Sequence, residues 1–241
     1  MKLANKTVIV VGASSGMGLA TAKYLHQLGA KVVMVGRNQA RLEQARSEIS
    51  DDDRIITIAA DMTVALDRQR IIDSVDGLDH LIVTAADLAY LPVKEFTEEA
   101  AMKVVQSKII APFFLAQAAA SKIKPGGSIT FVSGIAAERP IVGGTMTGTV
   151  NGALNAMVRG LAVELAPIQV NAVSPGWVDT PFWEGIMTEE QKAAAFKTMS
   201  AKIPARRIGR PQDVAEAIET TMTNGFMSGS VLYVDGGQRL V

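Results

Sequence analysis

Apolar residues recur along this chain in two alternating rhythms, and the alternation predicts a sheet wrapped in helices. Val8, Ile9, Val10 and Val11 form a continuous, mostly β-branched run that suits a strand buried on both faces. Residues 17 to 28 then place Leu19, Ala22, Leu25 and Leu28 at helical intervals, and Gly29 supplies the stop. A second strand is expected over Lys31 to Val35, closed by Gly36, Arg37 and Asn38. Strand, helix and strand in this order make half of a doubly wound sheet.

The rhythms continue to the C-terminus. A polar helix is expected over 39 to 50, a strand over 54 to 59, a short helix over 67 to 75, and a strand over 81 to 84 following Leu78 and Asp79. From 96 to 122 the pattern is helical, with Glu98 and Glu99 in the first turn; Pro112 near the middle predicts a kink. Strands at 128–132, 169–173 and 230–234 and helices at 151–165 and 211–223 follow. The excursion at about 177–203 reads as an inserted lid or helical pair over the cleft. No linker, repeat or low-complexity tract divides these elements. The expectation is one α/β domain over 1–241, a Rossmann-like doubly wound parallel sheet with helices on both faces.

Composition acts mainly by exclusion. Lys plus Arg and Asp plus Glu each number 24, so there is no basic excess to draw a nucleic acid or an acidic membrane. Cysteine is absent, which removes disulfides and thiolate chemistry, and two histidines are too few for a histidine-based metal site; no metal is expected. The N-terminal MKLANKTV lacks the apolar stretch of a signal peptide, and no apolar run reaches membrane-spanning length. A cytoplasmic protein is expected.

The candidate chemistry begins at Thr7 to Gly18, TVIVVGASSGMG, where glycines at 12, 16 and 18 let the backbone turn sharply and present N–H groups to an anion at a helix start. The spacing is GxxxGxG rather than GxGxxG. At the tip of the second strand an acidic residue would repel a 2′-phosphate, whereas Arg37 can pair with one, so NADP(H) is preferred and NAD(H) remains open. Asp61, at the end of the third strand, suits either an adenine amine or a helix cap. The small Ala85 and Ala86 after the fourth strand permit close approach of a cofactor.

GASSGMG at 12–18, DMT at 61–63, GALNAMVRGLAVELAP at 152–167, PGWVDT at 175–180, RRIGRPQDVAEAI at 206–218 and VLYVDGG at 231–237 stand in an order and spacing that resembles the short-chain dehydrogenase/reductase family over essentially the whole chain. The resemblance implies a nicotinamide cofactor and a homodimer or homotetramer. It places Gly12, Ser14, Ser15, Gly16, Met17, Gly18, Arg37, Asp61, Met62, Ala85, Ala86, Asn151, Pro175, Gly176, Val178 and Thr180 at the cofactor.

The catalytic register departs from the family. The family's Tyr and Lys, four residues apart, fall at Thr147 and Asn151, its Ser at Gly134 beside Ser133, and its helical Asn at Lys108. The paired Asn residues after the fourth strand fall at Val83 and Thr84. Thr147 is a poor acid at neutral pH and Asn151 carries no charge with which to lower a neighbour's pKa. Lys108, Ser133, Thr147 and Asn151 are therefore candidate catalytic residues at altered positions; Lys108 is able to donate a proton or bind an acidic ligand, or else sits on a helix surface. Glu138 and Arg139 in the neighbouring loop are charged alternatives, and Trp177, Phe182 and Trp183 line an apolar substrate pocket or form the core of the lid. The expected function is an NAD(P)(H)-binding oxidoreductase of a small carbonyl or alcohol with an altered active site. The alternative is a non-catalytic NADP(H)-binding protein with a redox-sensing or structural role.

Overall fold

The computed structural model describes residues 2–241. Seven strands form one parallel sheet: β1 (Thr7–Val11), β2 (Lys31–Gly36), β3 (Ile55–Ala59), β4 (Leu78–Val83), β5 (Ile123–Val132), β6 (Gln169–Pro175) and β7 (Val231–Val234). Their spatial order is β3-β2-β1-β4-β5-β6-β7, with the order reversing between β1 and β4. At such a reversal successive connections leave for opposite faces, which opens a crevice at the carboxyl ends of the strands.

Eight helices cover the faces: α1 (Gly16–Gln27), α2 (Gln39–Ser47), α3 (Ala65–Asp73), α4 (Glu98–Val105), α5 (Ala111–Ala120), α6 (Thr145–Glu164), α7 (Glu189–Lys202) and α8 (Pro211–Thr223). Val8, Ile9, Val10 and Val11 are all 3% exposed or less, because alternate side chains enter the two layers of core on either side of the sheet. Each such side chain contributes about 1.5–3 kcal/mol on burial.

Three elements differ from the sequence expectation. The helix of 96–122 is broken into α4, a wide turn over Gln106–Ile110 with π-type bonding, and α5; Pro112 sits in the first turn of α5, where its missing N–H is tolerated. Helix α6 starts at Thr145 rather than 151. Its first turns, rich in Thr and Gly, are weak helix formers, and burial of Thr147, Val150 and Asn151 overrides that propensity. Strand β5 starts at Ile123, with an irregularity in its register against β4. The 177–203 excursion comprises a short turn over Pro181–Gly185 and α7, which buries none of its own residues fully.

Candidate active site

A cleft of about 710 Å³ opens at the carboxyl ends of the strands, where β1 and β4 diverge. At its floor the turn from β1 into α1 is drawn tight. A Cβ on Gly18 would stand 2.0 Å from the Gly12 carbonyl oxygen, and one on Gly12 would stand 2.7 Å from the Ala85 nitrogen. The N-terminus of α1 has no side-chain cap from Ser15 and no acidic residue in its first turn. Its leading N–H groups are thus free of any carboxylate and suit a phosphate.

All sixteen residues expected at the cofactor line this one cleft, from Gly12, Ser14, Ser15, Gly16, Met17 and Gly18 through Arg37, Asp61, Met62, Ala85, Ala86 and Asn151 to Pro175, Gly176, Val178 and Thr180. Arg37 stands at the mouth with its guanidinium 3.3 Å from both carboxylate oxygens of Asp87. Asp61 accepts from the backbone N–H and the hydroxyl of Thr63 at 2.8 and 2.7 Å through Oδ1, so it shapes the turn after β3. Deeper in, Asn151 Oδ1 is buried without a hydrogen-bond partner. An unsatisfied acceptor on a cleft wall fits a ligand hydroxyl such as that of a ribose. Together with the open helix start, it makes the residues present fit a dinucleotide.

The four candidate catalytic residues do not share one role. Lys108 lies in the π-type turn, only 4% exposed, and its Nζ donates to the Val132 carbonyl at 2.7 Å with a longer 3.4 Å contact to that of Ser133. Burial brings its pKa down from 10.5 to about 8. The Ser133 hydroxyl donates to the Asn151 carbonyl at 3.3 Å. Thr147 is 1% exposed, donates to the Ala89 carbonyl at 2.9 Å, and is the one candidate that does not line the cleft. At Gly134 a Cβ would come 2.7 Å from Asn151 Nδ2, so the amide fills the space a serine side chain would need. Of the charged alternatives in the neighbouring loop, Arg139 lines the cleft, while Glu138 accepts from the Tyr233 hydroxyl at 2.7 Å.

At the far end Trp177, Phe182 and Trp183 line the cleft and pack with Phe196 of α7: the Trp177 and Trp183 rings lie 4.6 Å apart, and Phe196 is 5.6 Å from Trp183. They are both pocket wall and the core of the excursion. Asp87, Tyr90 and Gln238 also line the cleft and were not expected from the sequence. Tyr90 and Asp87 belong to the irregular segment after β4, where no periodicity orients side chains.

Comparison with known proteins agrees with this geometry. A family model described as enoyl-(acyl carrier protein) reductase matches residues 12–239. The curated short-chain dehydrogenase/reductase ATR9 of Stachybotrys chlorohalonatus is 32% identical, with 96% of each chain covered. Among solved structures, the MalC reductase/Diels-Alderase of Malbranchea aurantiaca superposes with a TM-score of 0.93 at 27% identity, covering 100% of this chain and 98% of that one. A small-chain dehydrogenase in complex with NADPH gives 0.83 at 26% identity, covering 98% and 100%.

Proposed function

Because the chain belongs to the short-chain dehydrogenase/reductase family, we propose that it is an NADP(H)-dependent reductase of a small, largely apolar carbonyl compound whose proton delivery departs from the family's Ser, Tyr and Lys. The observation that carries this is one cleft lined by every residue expected at the cofactor; the departure in proton delivery is read from the sequence, where Gly134, Thr147 and Asn151 fall in the catalytic register. A bound nicotinamide would supply the hydride. The open start of α1 would hold the pyrophosphate, Asn151 a ribose hydroxyl, and Arg37 the 2′-phosphate after exchanging it for Asp87. Lys108 then acts by position, its ammonium tying the π-type turn to the end of β5 and so fixing Ser133 and Gly134.

The 177–203 excursion serves as the lid of a single cytoplasmic domain, and its aromatic wall sets an apolar substrate class. Met102, Ile110, Phe113 and Phe114 lie exposed on α4, the π-type turn and α5, which supports a homodimer or homotetramer packed through that face. A second role, binding the dinucleotide without turnover, is favoured by one fact: the residue in the tyrosine register is turned away from the cleft.

Purified protein is titrated with NADPH by cofactor fluorescence and then given a panel of aryl ketones, α-diketones and quinones, beside Lys108→Ala. Reduction of any panel member with consumption of NADPH is expected. Tight NADPH binding with no turnover across the panel transfers the assignment to the binding role, and absence of binding rejects both.

A further inference from the structure

Only three tyrosines exist in the chain. Tyr24 lies on α1, and Tyr233 on β7 donates its hydroxyl to Glu138. Tyr90 lies on the cleft wall. Its ring packs edge-on against Phe182 of the lid turn with centroids 5.8 Å apart, and the carbonyl of Ala89, in the peptide bond that joins it to Tyr90, accepts from the Thr147 hydroxyl at 2.9 Å. Thr147 itself is covered, while Tyr90 is on the wall.

Lys108, Ser133, Asn151 and Asp87 are either committed elsewhere or unable to give a proton here. The Lys108 ammonium is held by strand-end carbonyls, the Ser133 hydroxyl by the Asn151 carbonyl, and Asn151 is no acid. Asp87 lies at the mouth, paired with Arg37.

From this juxtaposition we infer that Tyr90, delivered by the loop after β4, is the hydrogen-bond and proton donor to the substrate's carbonyl oxygen, with Thr147 as its positioning residue. The inference rests on the reductase proposal for its reductant, the reduced dinucleotide. As the carbonyl carbon gains a hydride, the C=O π bond breaks and its electron pair moves to oxygen. The Tyr90 O–H bond breaks in turn and the proton passes to that oxygen, giving the alcohol and the oxidised dinucleotide. The resulting phenolate regains a proton from solvent at the cleft mouth. Thr147 suits a positioning role because its hydroxyl donates to the Ala89 carbonyl and so holds the peptide that carries Tyr90. Burial pushes the Tyr90 phenol above its ordinary value while Thr147 opposes the shift, so the phenol keeps its proton near neutrality and gives it up only to the alkoxide that forms on hydride arrival, a stronger base than a phenolate.

The test uses benzamide, a carbonyl isostere that a hydride does not reduce, as the probe. Both tryptophans of the chain, Trp177 and Trp183, line the cleft, so their emission follows its binding with or without NADPH. Tyr90→Phe is expected to weaken benzamide about fivefold or more while leaving NADPH affinity unchanged, and to lower turnover of the carbonyl panel by ~10² to 10⁴. Thr147→Val is expected to weaken benzamide, and Thr147→Ser to restore it. Equal benzamide affinity in wild type and Tyr90→Phe, no benzamide binding by the wild type, or turnover unchanged in Tyr90→Phe overturns the inference. A wild type that binds no NADPH rejects the reductase proposal instead, and the benzamide comparison, which needs no dinucleotide, still decides whether Tyr90 meets a carbonyl oxygen.

Discussion

Arg37 and His80 show how one side chain's surroundings set its work. Arg37 is exposed and its partner Asp87 only partly buried, so their pair contributes at most about 1 kcal/mol and yields readily to a dianionic phosphate. Arg37→Ala is expected to weaken NADPH about tenfold or more with NADH unaffected, as measured by fluorescence titration; equal affinities for the two cofactors, unmoved by the substitution, would sink the NADP(H) assignment. His80 sits at the opposite pole of the sheet, 3% exposed, with Nδ1 2.9 Å from the Ser128 hydroxyl. Burial first, against the opposing pull of Asp79, lowers its pKa from 6.5 to about 4. Between those values the unfolded chain binds more protons than the folded one, so stability falls as pH drops through this window. Urea unfolding at about pH 6.5 and about pH 5 should differ by on the order of 2 kcal/mol through this group, and His80→Asn should flatten the difference.

Among the elements, the β1–α1 turn and α7 stand at opposite extremes. The turn leaves no room: Gly18→Ala sets a methyl against the Gly12 carbonyl, backbone that cannot swing aside. A loss of about 1–3 kcal/mol in thermal unfolding is expected, with dinucleotide binding impaired because the phosphate-facing N–H groups shift. Helix α7, by contrast, has a full capping box at Thr188 and Gln191 but no buried residue, and it is held through the aromatic contacts of Phe196 and the Lys192–Asp179 pair at 2.8 Å. Such an element opens at little cost. Phe196→Ala should therefore speed proteolytic cleavage within 188–203 and raise KM for the carbonyl panel, with NADPH affinity held; protection equal to wild type would show that α7 is anchored by other means. The glycine turn follows from the sequence pattern. The π-type turn does not, since bonding from i to i+5 leaves no periodic mark, and Lys108 reaches β5 only because that turn re-aims it.

At the scale of the whole molecule, the sheet order brings residues separated by more than half the chain into one cleft, from Gly12 to Gln238. The same order leaves the face of α4 and α5 uncovered, with Phe113 and Phe114 in edge-to-face contact and both partly exposed. Sedimentation at micromolar concentration is expected to give a dimer or tetramer, reduced toward the monomer by Phe113→Arg; a wild-type monomer would remove the assembly proposal. By itself the sequence determined the parallel sheet and the glycine turn, because strand periodicity and glycine spacing are local properties that need no partner. Tertiary structure decided what those residues do. Only packing could turn Thr147 away from the cleft, commit the Lys108 ammonium to two carbonyls, leave Asn151 Oδ1 unsatisfied and tie the loop that carries Tyr90, far away in sequence, to the hydroxyl of Thr147 through the Ala89 carbonyl. Side-chain direction in an irregular loop is fixed by contacts between distant segments, and those exist only once the chain has folded.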